Sequence, residues 1–344
     1  MNLFNSKRVP LLFAKPPYMD ESLIGYLIRL AELHGLECHS QILSLIKGKR
    51  YKLPNTSDIL MLSELVGCQP NLIEQLFGFE RRDNFNQRIW KIQNEWITKP
   101  YFISSRHLKH CPACLKERKY LRNVWELSLY QSCPYHFTPL ITECPSCNKP
   151  ITWTRKRLEY CNCGDSLISM PEVIRHDNQI HLSAIIENRL GNMVKIPSNV
   201  IPQNISDRLL NLSLDALFKT IWLFGEVIPS STNHHHFTST HKTSPKKIKL
   251  TPSVIDTAYE YLSDWPNKLL DSLSSHYKNN LTGTSSYIRK IYGPIHRYLE
   301  EDIISNELTF IKHAYEYQIR KFWAQSNKRA PRSLGNQLEL PLED

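Results

Sequence analysis

Two groups of metal-binding residue types lie between Cys111 and Cys163, and they carry the strongest chemical signal in the 344-residue chain. The first group reads CPAC, then eighteen residues, then CPYH. A two-residue spacing lets both side chains of a pair reach one tetrahedral ion, and two such pairs complete a four-coordinate zinc site. The predicted ligands of the first site are Cys111, Cys114, Cys133 and His136.

The second group reads CPSC, then thirteen residues, then CNC, and Gly164 follows directly. The single residue between its last two cysteines is a narrower spacing than usual, so Gly164 is expected to relieve the turn and either cysteine could be the weaker ligand. Each site has four protein ligands and no open position for a catalytic water, which predicts two structural zinc ions. The alternatives to zinc binding are chance clustering of the cysteines and iron–sulfur binding. The predicted ligands of the second site are Cys144, Cys147, Cys161 and Cys163.

Composition places the chain among soluble globular proteins, with 41% hydrophobic and 22% charged residues. The formal charge of +10 predicts a surface that attracts a polyanion such as DNA or RNA. No apolar run reaches the roughly 18 residues of a membrane span, and no signal peptide is recognisable, so a cytosolic protein is expected. Because the cytosol keeps thiols reduced, the nine cysteines favour metal ligation over disulfides. No Walker A motif or two-metal carboxylate arrangement is recognisable, which predicts a protein that is not an enzyme.

The elements around the metal sites are predicted to be mainly α-helical. The predicted fold class is mainly α with small tandem zinc-ribbon or zinc-knuckle domains. It comprises an N-terminal helix-turn-helix-like domain over residues 1–100, a zinc region over 101–170, a helical segment over 171–228, a polar linker over 229–252 and a C-terminal helical domain over 253–344. The linker contains His234, His235 and His236, whose surroundings indicate a solvated tract more than a metal site.

Near the N-terminus, Asp20 is expected to cap a helix that starts at Glu21. Further on, a helix over residues 57–66, a turn at Gly67 and a helix starting at Pro70 match a helix-turn-helix, although a plain helical hairpin fits equally well.

Residues that could contact nucleic acid or a partner lie on that second helix and in two basic runs. The second helix has no Lys or Arg of its own, which argues against base reading. The basic residues after it could reach phosphates but cannot read sequence alone. The candidates are Asn71, Gln75, Arg81, Arg82, Arg155, Lys156 and Arg157.

Two stretches of the chain, PYMDESLIGYLIRLAELHG and HLKHCPACLKERKYLRNVWELSLYQSCPYHFTPLITECPSCNKPI, resemble the TniQ/TnsD family of transposon target-selection proteins. The shared order is CPxC, a Trp, CPxH, a Leu, CPxC and a final Cys pair. The resemblance covers about residues 8–165 and implies that the eight residues named above are zinc ligands.

The resemblance implies one of two adaptor functions for a bacterial, nucleoid-associated protein. A TniQ of a CRISPR-associated transposon rides on the RNA-guided Cascade complex, made of Cas proteins and guide RNA, and recruits the AAA+ ATPase TnsC and the transposase. A TnsD-like protein instead reads a fixed attachment site in DNA. The chain is short for a TnsD-type selector, which favours the Cascade adaptor. Family members of the first kind can form a homodimer, and no membrane contact is implied.

Overall fold

A computed structural model of the chain describes residues 10–47, 58–76, 80–82, 88–103, 108–169, 175–232, 252–280, 288–303 and 305–325. It divides into two compact units, residues 1–195 and residues 196–344. The predicted N-terminal helical region and the predicted zinc region both lie in the first unit. As predicted, the described residues are mainly helical, with two cysteine-rich clusters.

The first unit begins with four helices around one apolar core. They are α1 (Leu23–Leu33), α2 (His39–Lys47), α3 (Ile59–Val66) and α4 (Pro70–Glu74). The apolar positions that predicted α1, including Leu23, Leu27 and Leu30, have no exposed surface and pack against α2 and α3. Burial of such side chains contributes roughly 1.5–3 kcal/mol each, which is the main reason why this short helix is stable.

The start of α1 differs from the prediction, because Ser22 and not Asp20 is the N-cap. The Ser22 hydroxyl accepts a hydrogen bond from the backbone N–H of Gly25 at 3.0 Å, so the helix begins at Leu23. A Cβ on Gly25 would lie 2.7 Å from the Leu121 side chain, so only glycine fits there. Asp20 is thereby left free for a different role at the zinc region.

Helices α3 and α4 meet at the predicted turn. Gly67 ends α3 with φ 65°, a left-handed conformation that favours glycine, and Pro70 occupies the first turn of α4 as predicted. Helix α4 has only five residues.

A three-stranded antiparallel sheet follows, where the sequence predicted only helices. Its strands are β1 (Glu80–Arg82), β2 (Arg88–Ile92) and β3 (Glu95–Ile97), in the order β1-β2-β3. The register pairs Trp90 with Glu80 on one side and with Ile97 on the other. The alternation in RIWKI is the sequence signal for β2, and burial of Ile92 and Ile97 is what anchors the sheet.

The rest of the first unit contains short elements around the cysteines and one long helix. These elements are two 3₁₀ turns (Pro100–Phe102 and Asn123–Glu126), helix α5 (Pro112–Arg118), the two-stranded hairpin of β4 (Ser132–Cys133) and β5 (Thr138–Pro139), and helix α6 (Asp177–Arg189).

The described elements of the second unit are all helices or helical turns. It contains α7 (Gln203–Asn211), α8 (Leu214–Trp222), a π-helical turn (Leu223–Val227), α9 (Ile228–Thr232), α10 (Pro252–Ser263), α11 (Asn267–Asn280), α12 (Ile288–Glu301), a 3₁₀ turn (Asn306–Leu308) and α13 (Thr309–Gln325).

Two positions explain how these helices fit together. The helical segment predicted over residues 171–228 is interrupted before Ser213, which caps α8 through a hydrogen bond from the Ala216 N–H at 3.4 Å. In the π-helical turn, a Cβ on Gly225 would lie 2.1 Å from the Val254 carbonyl oxygen, so glycine allows α10 to approach closely.

The polar linker predicted over residues 229–252 begins later than expected, because residues 229–232 belong to α9. The histidines at 234–236 lie outside the described residues.

Candidate metal centres and their buried supports

The first cluster brings together the four side chains predicted as its ligands. His136 Nδ1 lies 3.5 Å from Cys111 Sγ, 3.3 Å from Cys114 Sγ and 3.5 Å from Cys133 Sγ. The sulfurs of Cys114 and Cys133 are 3.6 Å apart. All four potential ligand atoms lie within 4.8 Å of one another, and the three cysteines are buried. One ion could therefore contact all four.

The second cluster likewise gathers its four predicted cysteines within 4.8 Å. The sulfurs of Cys144 and Cys163 are 3.8 Å apart, and so are those of Cys147 and Cys161. Burial falls along the group: Cys144 is buried, Cys147 and Cys161 are half-buried and Cys163 is exposed. Solvent therefore reaches this cluster more readily than the first.

Both geometries fit a tetrahedral zinc ion. Zinc–ligand distances of about 2.3 Å to sulfur and about 2.0 Å to nitrogen place two sulfurs about 3.8 Å apart and a sulfur and a nitrogen about 3.5 Å apart. The observed sulfur–sulfur distances of 3.6 and 3.8 Å and sulfur–nitrogen distances of 3.3–3.5 Å agree with these values. In both clusters protein atoms supply all four corners of the tetrahedron.

Short elements hold the first cluster in place. Cys111 directly precedes α5, whose first residue is Pro112, so that Cys114 lies one helical turn further on the same side. Cys133 ends β4, and Phe137, with φ 54°, turns the chain so that His136 faces the cysteines before β5 begins. The spacing of each pair therefore comes from a helix start on one side and a hairpin turn on the other.

A carboxylate orients the histidine of the first cluster. Nδ1 of His136 faces the sulfurs, so the ring proton belongs on Nε2, which donates a hydrogen bond to Glu117 Oε1 at 2.9 Å. Glu117 stands on α5, which also carries Cys114, so one helix supplies both a ligand and the group that orients another ligand.

A tight turn explains the unusual CNC spacing of the second cluster. The Cys161 N–H donates to the Asp165 carbonyl oxygen at 2.9 Å, and the Gly164 N–H donates to the Cys161 carbonyl oxygen at 3.0 Å. Gly164 has φ 95°, which residues with a side chain rarely adopt. Glycine at this position thus lets Cys161 and Cys163 turn toward the same centre, as the sequence predicted.

The other arm of the second cluster is a loop closed by backbone hydrogen bonds. The Cys144 N–H donates to the Lys149 carbonyl oxygen at 2.9 Å, and the Asn148 N–H donates to the Cys144 carbonyl oxygen at 2.9 Å. Desolvation raises the pKa of the Cys144 thiol, but the backbone N–H groups of Cys147 and Ser146 outweigh it and lower the pKa to about 7. This loop therefore favours the thiolate form that binds metal.

A buried ionic network joins the N-terminal segment to the zinc region and to α6. Arg122 is 1% exposed and donates to Asp20 Oδ2 from Nε at 2.6 Å. Its two terminal nitrogens donate to the two carboxylate oxygens of Glu187, at 2.6 and 2.9 Å. Glu187 has no exposed surface, and it also accepts from Tyr130 and Asn192 at 2.6 and 2.7 Å.

The charges of this network balance. Arg118 lies 3.6 Å from Asp20, so two arginines face the two acids Asp20 and Glu187. Desolvation raises the pKa of Asp20, but Arg122 and its other partners outweigh it and hold that pKa below its usual value. Sequence reasoning assigned Asp20 to a helix cap and missed the network, because Arg122 lies 102 residues from Asp20 and 65 residues from Glu187.

The residues predicted to contact nucleic acid or a partner belong to three separate segments of the first unit, namely α4 with the residue after it, β1 and residues 155–157. Asn71 and Gln75 are exposed on α4 and just after it. Arg81 and Arg82 belong to β1, but their side chains lie outside the described part of the chain.

The second basic run splits between the interior and the surface. Arg155 is only 2% exposed, so its guanidinium does not face a surface ligand. Lys156 is exposed and pairs with Glu37 at 2.6 Å, and Arg157 is exposed with its guanidinium 5.6 Å from the centre of the Tyr160 ring.

Comparison with known protein families gives a match to part of the chain. Residues 12–140 match the sequence profile of the TniQ family, which supports a relationship to that family. The matched residues include α1 to α5 and the whole first cluster, and they end just before the second cluster. A TniQ domain indicates a target-selection adaptor in transposition. No curated protein matches the chain. Among the described helices, none is long and apolar enough to cross a membrane.

Proposed function

We propose that this chain is a non-catalytic adaptor in DNA transposition. In this proposal it couples target recognition by an RNA-guided Cascade complex to recruitment of the AAA+ ATPase TnsC and of the transposase. The observation that carries the proposal is the TniQ match over residues 12–140 together with the intact first cluster inside it. Each cluster has four protein ligands, which suits a structural scaffold, because a catalytic zinc keeps one position for water or substrate.

We further propose that each cluster holds one structural zinc ion. The tetrahedral distances and the carboxylate that orients His136 support zinc at the first cluster. The four-sulfur geometry supports it at the second. Elemental analysis of the purified chain should find two zinc ions per molecule and no iron. A single zinc would contradict the assignment of the second cluster, and iron would favour a cluster of another kind.

The alternative function is a TnsD-like protein that reads a fixed attachment site in DNA. The exposed side chains of Asn71 and Gln75 favour it, since they lie on and just after the second helix of a helix-turn-helix-like pair. The absence of Lys and Arg from that helix favours the Cascade adaptor instead. Arg81, Arg82, Lys156 and Arg157 would serve either function as contacts to phosphates or to an acidic partner.

Reconstitution with purified components separates the two functions. The full chain is mixed with Cascade and its guide RNA, with TnsC, or with duplex DNA alone, and complexes are measured by size-exclusion chromatography with mass determination, which also reports whether the chain is a homodimer. The adaptor proposal expects co-elution with Cascade and TnsC, and duplex binding that is weak, salt-dependent and indifferent to sequence. Binding to one duplex about 10³-fold more tightly than to random DNA, without Cascade, would overturn it in favour of the TnsD-like function.

A paired substitution tests the contact residues. Asn71→Ala with Gln75→Ala removes two exposed side-chain amides of the helix pair, and Lys156→Ala with Arg157→Ala removes the exposed basic pair. A base-reading role predicts loss of sequence preference only in the first variant. A phosphate-contacting role predicts uniform weakening and a smaller salt dependence only in the second.

A further inference from the structure

Arg155 is a buried cation beside the second cluster. It is 2% exposed and lines a cavity of about 400 Å³. The same cavity is lined by three of the four cysteines of the second cluster, Cys147, Cys161 and Cys163. Arg155 and these three cysteines therefore line one partly enclosed space.

Arg155 makes too few hydrogen bonds to compensate for the burial of its charge. Its Nη1 donates to the Thr152 carbonyl oxygen at 3.4 Å, which is a long bond. Its Nε and Nη2 are buried, and within the described residues they have no hydrogen-bond partner. Burying a charge is costly unless it is paired, so a negative centre should lie close to this side chain.

The charged and titratable groups around Arg155 identify that centre. Burial lowers the pKa of Arg155 to about 10, whereas the Cys161 thiolate and the Glu32 carboxylate both raise it, so the guanidinium stays charged at neutral pH. His110 also faces it, and its pKa is lowered to about 4 by burial and by the Arg155 charge, so this imidazole is neutral. Glu32 is exposed and accepts a hydrogen bond from the Leu158 N–H, so it is a solvated partner.

The two clusters differ in charge if each holds zinc. Three thiolates, one neutral imidazole and Zn²⁺ give the first cluster a net charge of −1. Four thiolates and Zn²⁺ give the second a net charge of −2, in a site where Cys144 is fully buried. We propose that Arg155 is the buried counter-ion of the second cluster, and that its charge slows metal loss and lowers the reactivity of the thiolates. This inference rests on the zinc assignment proposed above.

An anion-binding role for the cavity is the competing explanation. Lys149 and Asn162 also line it and could contact a phosphate. A centre of charge −2 next to the cavity would repel such a ligand, and this is why we favour the counter-ion role.

The test compares Arg155→Met with Arg155→Lys and with the control Arg157→Met, which removes an exposed arginine two residues away. Zinc transfer to a chromogenic chelator gives the release rate of each site in the full chain. Alkylation of Cys161 and Cys114, read by peptide mass spectrometry, shows which site each phase of zinc release belongs to.

Arg155→Met should accelerate zinc release from the second cluster about 10- to 100-fold and leave release from the first unchanged, as expected when a group that supports a metal site is lost. Arg155→Lys should restore most of the stability because it keeps the charge, and Arg157→Met should behave like wild type.

Several outcomes would overturn the proposal. Equal release rates in Arg155→Met and wild type would show that the charge is irrelevant. Arg155→Lys as labile as Arg155→Met would assign the effect to packing. If Arg155→Met is insoluble, the pair Arg155→Lys and Arg155→Gln replaces it, and equal rates in those two would refute the charge role. Saturable binding of inorganic phosphate to the wild type, lost in Arg155→Lys, would favour the anion site. A wild-type chain with only one zinc would refute the zinc assignment itself, which is a separate result read before any variant is compared.

Discussion

Replacement of Glu187 by glutamine tests how strongly the buried network holds the first unit together. The substitution keeps the size of the side chain and removes its charge. Arg122 would then be left 1% exposed, with Asp20 as its remaining acidic partner. Tyr130 and Asn192 would each lose a charged acceptor for a hydrogen bond of 2.6 or 2.7 Å.

The expected cost follows from this burial. Breaking a buried ion pair by removing one partner costs about 3–5 kcal/mol, and the remaining amide oxygen places Glu187→Gln near the lower end. In a domain of about 200 residues each kcal/mol lowers the midpoint temperature by about 2–4 °C, so a decrease of about 6–12 °C is expected. Because both clusters lie in the unit of residues 1–195, this transition is recognised in differential scanning calorimetry by simultaneous zinc release.

Helix α6 supplies a matched control. Arg189, at its end, pairs with Glu95 at 2.6 Å, with side chains 34% and 11% exposed, and an ion pair that solvent reaches contributes less to stability than a fully buried one. Glu95→Gln should therefore shift the midpoint by no more than a few degrees. A shift in Glu187→Gln as small as that in Glu95→Gln would refute the reasoning, because it would mean that the network is not a principal support of the unit.

Three further predictions concern the clusters and one buried acid. A chelator should remove metal from the second cluster, which is more accessible to solvent, before it removes metal from the first, and equal release rates would contradict this reasoning from burial. For the same reason, Cys163→Ser should leave soluble protein with one zinc, whereas Cys114→Ser should not fold. Glu117→Gln should weaken zinc binding at the first cluster about 10-fold, measured by competition with a chelator, and unchanged affinity would argue against orientation of His136 by this carboxylate. Glu126 is buried, and desolvation raises its pKa to about 8, outweighing the lowering by Ser22. Since the folded-state pKa lies above the unfolded value of 4.5, the contribution of Glu126 to stability is full below pH 4.5 and is lost as the pH rises through 8. The free energy of unfolding, measured by urea denaturation, should therefore depend less on pH between these values in Glu126→Gln than in wild type. An unchanged pH dependence would show that the acid is ionised in the folded protein.

The two cysteine-rich clusters were predictable from sequence because the members of each are close in the chain. Each Cys pair is set by a local turn or helix start, and local geometry can be inferred from spacing alone. The helix starting at Pro70 and the turn at Gly67 were predictable for the same reason. The sheet of β1 to β3 was not anticipated, since strands of three to five residues give only a weak alternation signal and depend on burial of Ile92 and Ile97.

Long-range polar contacts left no comparable signal. Asp20 looked like a helix cap because Asp is common there, but the pairing with Arg122, 102 residues away, requires tertiary structure. Arg155 looked like part of an exposed basic run with Lys156 and Arg157, since a charge pattern does not reveal which member is buried. In both cases the missing information was burial, which decides whether a charged side chain binds a solvent-exposed partner or a counter-ion inside the protein.

The end of the TniQ match at residue 140 is not a structural boundary. Arg122 and Tyr130, inside the match, bind Glu187 outside it, and Cys111 follows His110, whose ring contacts the Leu167 carbonyl oxygen at 3.0 Å. Because the partners of these buried groups lie beyond residue 140, a chain ending there would lose these hydrogen bonds together with residues that keep water from Arg122 and His110. The structural unit that carries the matched residues therefore extends through the second cluster and α6, and the contacts of the proposed adaptor are to be sought on that whole unit.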